Sequence, residues 1–224
     1  NQAVYQIRQD IIKKNGLGFD GNTRFIPETY AEYQGLLEGL KAKADNGTLW
    51  VRNIAMDQDH SWYQISAGNS NLNDLVEVNQ DNFVPAFFFH PENEILTALY
   101  VNGGTLLDDN GNVNFHNNTL FVKFLTDMID RKAAGLIGDP GVKDSIFPMG
   151  KTVMFPEGPW WVANSYDMLW NNKQLKAAGK LGVTEEDAND PVYSQPYAVS
   201  RARWLAQEGA PAETADKWYG NGHV

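Results

Sequence analysis

Leu120, Phe121, Phe124, Leu125, Met128 and Ile129 fall at i, i+4 and i+8 in two adjacent rows, and Gly135 closes the pattern. No other stretch of the chain has so clear a helical period. The spacing predicts a helix over Asn118 to Ala134 with a broad apolar face. Such a face is stable only against a partner surface, so this helix is expected to pack on a sheet. The composition can supply one: 42% of the 224 residues are apolar and 21% are charged, as in globular proteins. The length suits one large domain or two small ones.

The remaining elements are read in the same way. Tyr5, Ile7, Ile11 and Ile12 lie near helical spacing before an Asn15-Gly16 stop. Pro27 opens a second helix through Tyr30, Tyr33, Leu37, Leu40 and Ala44, ended by Asn46-Gly47. Thr48 to Ile54 reads as a strand. Phe83 to Phe89 is either a buried strand or the start of a helix. Pro91 starts a helix through Ile95, Leu96, Leu99 and Tyr100, stopped by Gly103-Gly104. Thr105 to Phe115 predicts a small hairpin around Asp109-Asn110-Gly111. Val142 to Met149 predicts a short helix, Thr152 to Phe155 a strand, and Gly158-Pro159 the start of another helix. Thr184 to Pro196 reads as a loop and Tyr197 to Leu205 as a helix. Helices alternating with short strands predict an α/β fold, a three-layer lobe with helices around a small mixed sheet.

Charge and residue choice exclude several functions. Acidic residues outnumber basic ones 28 to 18, a formal charge of −10. Nucleic acid and anionic lipid surfaces would be repelled. The longest nearly continuous apolar run, Phe83 to Phe89, has seven residues and contains Pro85, whereas a membrane-spanning helix needs about 20. With no cysteine, disulfides, thiolate metal sites and cysteine nucleophiles are absent. No phosphate-cradling glycine loop occurs, nor a Gly-x-Ser-x-Gly elbow. His60, His90, His116 and His223 lack metal-ligand spacing. Asp108-Asp109-Asn110-Gly111-Asn112 is similar to the start of a calcium loop, but the closing Glu is missing and a tight turn is the simpler reading. No cofactor and no metal are expected.

One stretch holds binding chemistry. Trp160 and Trp161 follow Pro156-Glu157-Gly158-Pro159, at an expected strand-to-helix turn. Such turns are where α/β sheets place ligands. An indole face can stack on the C–H face of a sugar, while Asn, Asp and Glu bond its hydroxyls. At least one of the two tryptophans is expected in the core. Glu157 is the best candidate acid if the chain is an enzyme, although a hydrogen-bonded loop residue is the more ordinary reading. A glycosidase would need a second carboxyl about 5 to 9 Å away.

Phe147-Pro-Met-Gly-Lys-Thr-Val-Met-Phe-Pro-Glu-Gly-Pro-Trp-Trp161 resembles a stretch of the extracellular solute-binding proteins of ABC sugar importers, the maltose-binding-protein-like family, above all at Gly158-Pro159-Trp160. Asn102-Gly-Gly-Thr-Leu-Leu-Asp-Asp-Asn-Gly111 and the helix after it resemble the same family. So do Tyr5 to Leu17 with Pro27-Glu-Thr-Tyr30, and Trp218-Tyr-Gly-Asn-Gly-His-Val224. Two stretches depart from it: Ile7-Arg8-Gln9-Asp10 stands where the family has Asn-Lys-Asp, and 171–217 follow a different course.

The resemblance implies a type II periplasmic-binding-protein-like lobe. Residues 1–170 would form the second lobe and 171–224 the return crossing toward a first lobe. Family members run to about twice this length, as two ordinary domains do, so sequence would precede Asn1 and follow Val224. The implied protein is not an enzyme. It would be a monomeric, extracytoplasmic bacterial lipoprotein that captures a sugar or oligosaccharide and delivers it to an ABC permease in the membrane. Trp160 or Trp161 would stack on the sugar. Glu157, Asn93, Glu92 and His90 would supply polar contacts, because the family's sugar-contacting segment falls near Glu92 and Asn93 when counted back from Gly103-Gly104. A glycoside hydrolase with a carboxylate pair and a standalone lectin-like module are the alternatives.

Overall fold

The computed structural model describes residues 4–51, 56–57, 75–76, 83–88, 90–138, 150–157 and 197–200. In chain order the elements are β1 (Val4–Ile7), α1 (Gln9–Lys14), α2 (Tyr30–Asp45), β2 (Met56–Asp57), β3 (Leu75–Val76), α3 (Pro91–Val101), α4 (Thr119–Ala133), β4 (Met154–Glu157) and β5 (Tyr197–Ser200). Helix outweighs strand. Residues 142–149, 158–170 and 184–196, for which a helix, a helix start and a loop are expected, lie outside the described residues.

β1 is the middle strand of a three-stranded sheet ordered β4-β1-β5. It runs antiparallel to both neighbours, with Val4 opposite Glu157 and Ser200, and Ile7 opposite Met154 and Tyr197. Two expectations are corrected here. Tyr5 and Ile7 belong to a strand, and the helix begins only at Gln9. Residues 197–200 are a strand, not the start of a helix. In both cases the pairing partner is remote in sequence and overrides local period. The strand expected at Thr152 begins two residues later, at Met154. β2 and β3 form a separate two-residue antiparallel ladder.

Residues 83–88 extend the three-stranded sheet. Ala86 makes single parallel bridges to Met154 on one side and Ile137 on the other. Phe87 N–H donates to Met154 C=O at 3.1 Å, and Gly138 N–H to Ala86 C=O at 3.2 Å. The ladders between named strands are therefore antiparallel, and parallel pairing occurs at these bridges. Of the two readings of Phe83 to Phe89, neither is met in full: 83–88 form no helix and no strand, only a bend at Pro85 and isolated bridges at Ala86.

α2 begins at Tyr30, three residues later than the proline reading places it. Thr29 caps it by accepting Glu32 N–H at 3.2 Å, and the Glu32 carboxylate reaches back to Glu28 N–H at 2.6 Å. A threonine followed three residues later by glutamate satisfies free donors at a helix start. Tyr33, Leu36, Leu37, Leu40 and Ala44 are buried against Ile7, Ile11, Ile12, Val153 and Met154 in the main core. Residues 48–51 form no strand. Their backbone is held by a side chain instead: Asn15 donates to Trp50 C=O and accepts from Trp50 N–H, both at 2.8 Å.

α3 and α4 match their expected spans, and Asn118 caps α4 by accepting Phe121 N–H at 3.0 Å. Gly103 takes φ +80°, which favours glycine at a helix stop. The expected partner of α4 is corrected, however. It packs mainly on α3 rather than on the sheet. Phe124 joins Ile95, Ala98 and Leu99 in a second, smaller cluster, while Leu120, Phe121 and Met128 are partly buried against it. The outer part of the stripe stays open, with Leu125 38% and Ile129 57% exposed. Facing a helix, α4 buries the row through Phe124, where a flat sheet would have covered both rows.

Candidate functional site at the carboxyl edge of the sheet

The parallel bridges decide where the expected site residues go. Because residues 83–88 and β4 run in the same direction, both chains leave the sheet at the same edge. Phe87 and Phe155 stack there with ring centroids 5.7 Å apart and an interplanar angle of 11°. Just beyond Phe88, His90 is the N-cap of α3 and carries no side-chain cap bond. His90 Nδ1 lies 3.0 Å from Glu92 Oε1, and both side chains are exposed. Asn93 N–H donates to His90 C=O at 3.0 Å, and its own carbonyl accepts the Thr97 hydroxyl at 2.6 Å. The first turn of α3 thus presents His90, Glu92 and Asn93 together, with Glu92 at the positive end of the helix dipole.

Glu157 is the last residue of β4, at the same edge. The structure therefore brings the 90–93 group and Glu157 to one side of the sheet. Trp160 and Trp161 lie outside the described residues. The Asp108 turn is a closed hydrogen-bonded loop. Its carboxylate accepts N–H groups from Asn112 at 2.8 Å and Asn110 at 2.9 Å. These donors, Asn112 first, hold its pKa below the ordinary range. Among the described residues, no group of three or more His, Asp or Glu side chains could hold a metal.

A second polar site was not anticipated. Between α2, α3 and α4 lies a cleft of about 340 Å³, its open mouth included, lined by Tyr30, Tyr33, Phe88, Glu94, Phe124, Asp127 and Arg131 among others. Glu94 and Arg131 are buried, and Asp127 forms an ion pair with Lys123 at 2.7 Å. The Arg131 guanidinium sits 5.2 Å from the Tyr30 ring centroid and 5.6 Å from that of Tyr33. It donates to Gln34 Oε1 at 2.9 Å and to the Tyr30 hydroxyl. The sequence does carry a signal for this cleft: an arginine one turn beyond Met128 and two beyond Phe124, on the apolar side of α4.

Lys151 is another buried ionisable group, 1% exposed. Its carbonyl accepts Val84 N–H at 2.8 Å. Desolvation pushes the pKa of its ammonium below the ordinary lysine range. Arg8 and Asp10, both buried, form a two-point pair at 2.9 and 2.7 Å where β1 meets α1. No protein family, curated protein or solved structure matches the chain.

Proposed function

We propose that the chain is a sugar-binding lobe of the periplasmic-binding-protein type, and that it captures a sugar or oligosaccharide for an ABC permease. The observation that carries this reading is the convergence at one sheet edge of two stretches that the family resemblance singles out, far apart in sequence. Residues 90–93 follow one chain and Glu157 ends its parallel neighbour. Carboxyl edges of parallel strands are where open α/β sheets bind ligands. The exposed amide of Asn93, the Glu92 carboxylate and the His90 ring are donors and acceptors suited to sugar hydroxyls. Trp160 and Trp161 follow Glu157 in sequence and would add the stacking surface. Binding here is reversible capture without chemistry, completed by an opposing lobe that closes by hinge motion.

The test is Trp160→Ala, with sugar binding followed by calorimetry over mono-, di- and trisaccharides and the thermal midpoint measured alongside. Loss of a stacking surface should weaken binding by about 1 to 3 kcal/mol with the midpoint held, on the scale of stacking against aromatic side chains. A fall in midpoint with unchanged affinity would move Trp160 to the core and leave Trp161 as the platform. Absence of sugar binding by the parent chain, or release of new reducing ends during the titration, would overturn the reading.

A further inference from the structure

We infer that the cleft between α2, α3 and α4 is a recognition site for a small organic cation, a guanidinium or alkylammonium solute, which the chain fills from within by its own Arg131. Tyr30, Tyr33, Phe88 and Phe124 supply aromatic surface, and Glu94 and Asp127 supply carboxylates, the second already paired with Lys123, all around one opening. Aromatic faces attract cations through their quadrupole, and the attraction grows as water is excluded. Carboxylates in the same wall favour positive charge further. A neutral or anionic solute would gain little from such a lining.

Arg131 shows that a guanidinium fits. Its planar group reaches two tyrosine rings at once, and its N–H donors find Gln34 and Tyr30, both neutral acceptors. Among the described residues no carboxylate hydrogen-bonds this guanidinium, although two line the cleft. It is therefore held by weaker neutral-acceptor bonds and by ring contacts, not by a charge-assisted fork. With Arg131 in place, the interior has room for about one water. An outside cation can enter only as Arg131 leaves. The resident side chain lowers the apparent affinity by the fraction of time the cleft is filled. This inference stands apart from the sugar reading, which uses the exposed turn of α3 and not its buried face.

The experiment empties the cleft and offers it a replacement. Arg131→Ala and Arg131→Met are titrated with ethylguanidinium chloride, and in parallel with the neutral isostere ethylurea, at constant ionic strength. Calorimetry and the thermal midpoint are the readouts. A saturable rise in midpoint with ethylguanidinium is expected in both variants, at concentrations at least about tenfold lower than the parent chain requires. Ethylurea should leave the midpoint unchanged. Adding Tyr33→Leu to Arg131→Ala should weaken the response. If the variants are unfolded alone, ethylguanidinium should restore their helical circular dichroism, because a ligand that binds only the folded state draws the chain toward it. Three results would each overturn the inference: no saturable response and no rescue, an equal response to ethylurea, or the same midpoint curve in parent and variants.

Discussion

α2 and α4 are amphipathic helices of nearly equal length, Tyr30–Asp45 and Thr119–Ala133, yet they are buried to very different depths. α2 lies in the main core with Tyr33, Leu37 and Leu40 fully enclosed. α4 encloses Phe124 and leaves Val122, Leu125 and Ile129 facing solvent. Every large exposed apolar side chain among the described residues falls between Tyr100 and Ile129. A periodic apolar stripe therefore states what a helix can bury. What it does bury depends on the partner. α2 meets a sheet together with α1, whereas α4 rests mainly on one short helix and reaches α2 only near its end, through Met128 and Arg131.

The largest expected effect tests the buried side of that contrast. Leu37→Ala, at a fully enclosed position, should lower unfolding free energy by about 2 to 5 kcal/mol in urea. A loss below about 1 kcal/mol would place α2 and α4 on the same footing.

Lys151 sharpens the account of the dense region, because a charge there lacks water. Its folded pKa is depressed by burial, so between that value and the ordinary 10.5 the unfolded chain holds the extra proton. Stability should therefore rise with pH across this window. Lys151→Met should remove the rise and raise stability at neutral pH, because it removes the desolvation cost of the buried charge. A flat pH profile in the parent would refute the buried-charge account.

At the edge of the same region, Arg24 donates to Glu32 at 2.7 and 3.1 Å and holds its carboxyl below the ordinary 4.5. That stability is complete above pH 4.5 and is lost as pH falls through the lower folded value. Glu32→Gln should cost about 1 kcal/mol at neutral pH, since it also weakens the α2 cap. The deficit should shrink in acid, as denaturant midpoints at successive pH values would show. The smallest effect belongs to α4: Ile129→Ala should change stability by no more than about 0.5 kcal/mol. A large loss there would mean that the outer row of the stripe is covered.

Much of the helical architecture was legible because its signals are local. α3 has proline at its start and a glycine pair at its end, and α4 has Asn118 and a two-row stripe. The start of α2 is harder to place, because Pro27 gives a cue ahead of Thr29 and Glu32, which form the cap. The strands were less legible. β1 has four residues, too few for alternation to show, and Ile11 and Ile12 just after it lend Tyr5 and Ile7 a helical spacing. β5 has no strand signal of its own, because what makes it a strand is β1, at the other end of the chain. His90, Glu92 and Asn93 could be placed in one turn from sequence, but their position at the same sheet edge as the end of β4 depends on parallel bridges that no local pattern encodes. Arg131 went unread as a site residue because basic residues are ordinary in the last turn of a helix.

The central position of β1 bears on how the chain reaches its fold. Both of its partners lie beyond residue 150, so two closures spanning most of the sequence precede the three-stranded sheet. Each closure surrenders loop entropy before any ladder bond repays it. The helices form from neighbours along the chain. High contact order is thus concentrated in the sheet, which makes sheet assembly the slow step. Until β4 is in place, Ile7 and the chain at 83–88 lack the surface they share in the native core, and the carboxyl edge that gathers 90–93 and Glu157 does not yet exist. That carboxyl edge is accordingly among the last features to be completed as the chain folds.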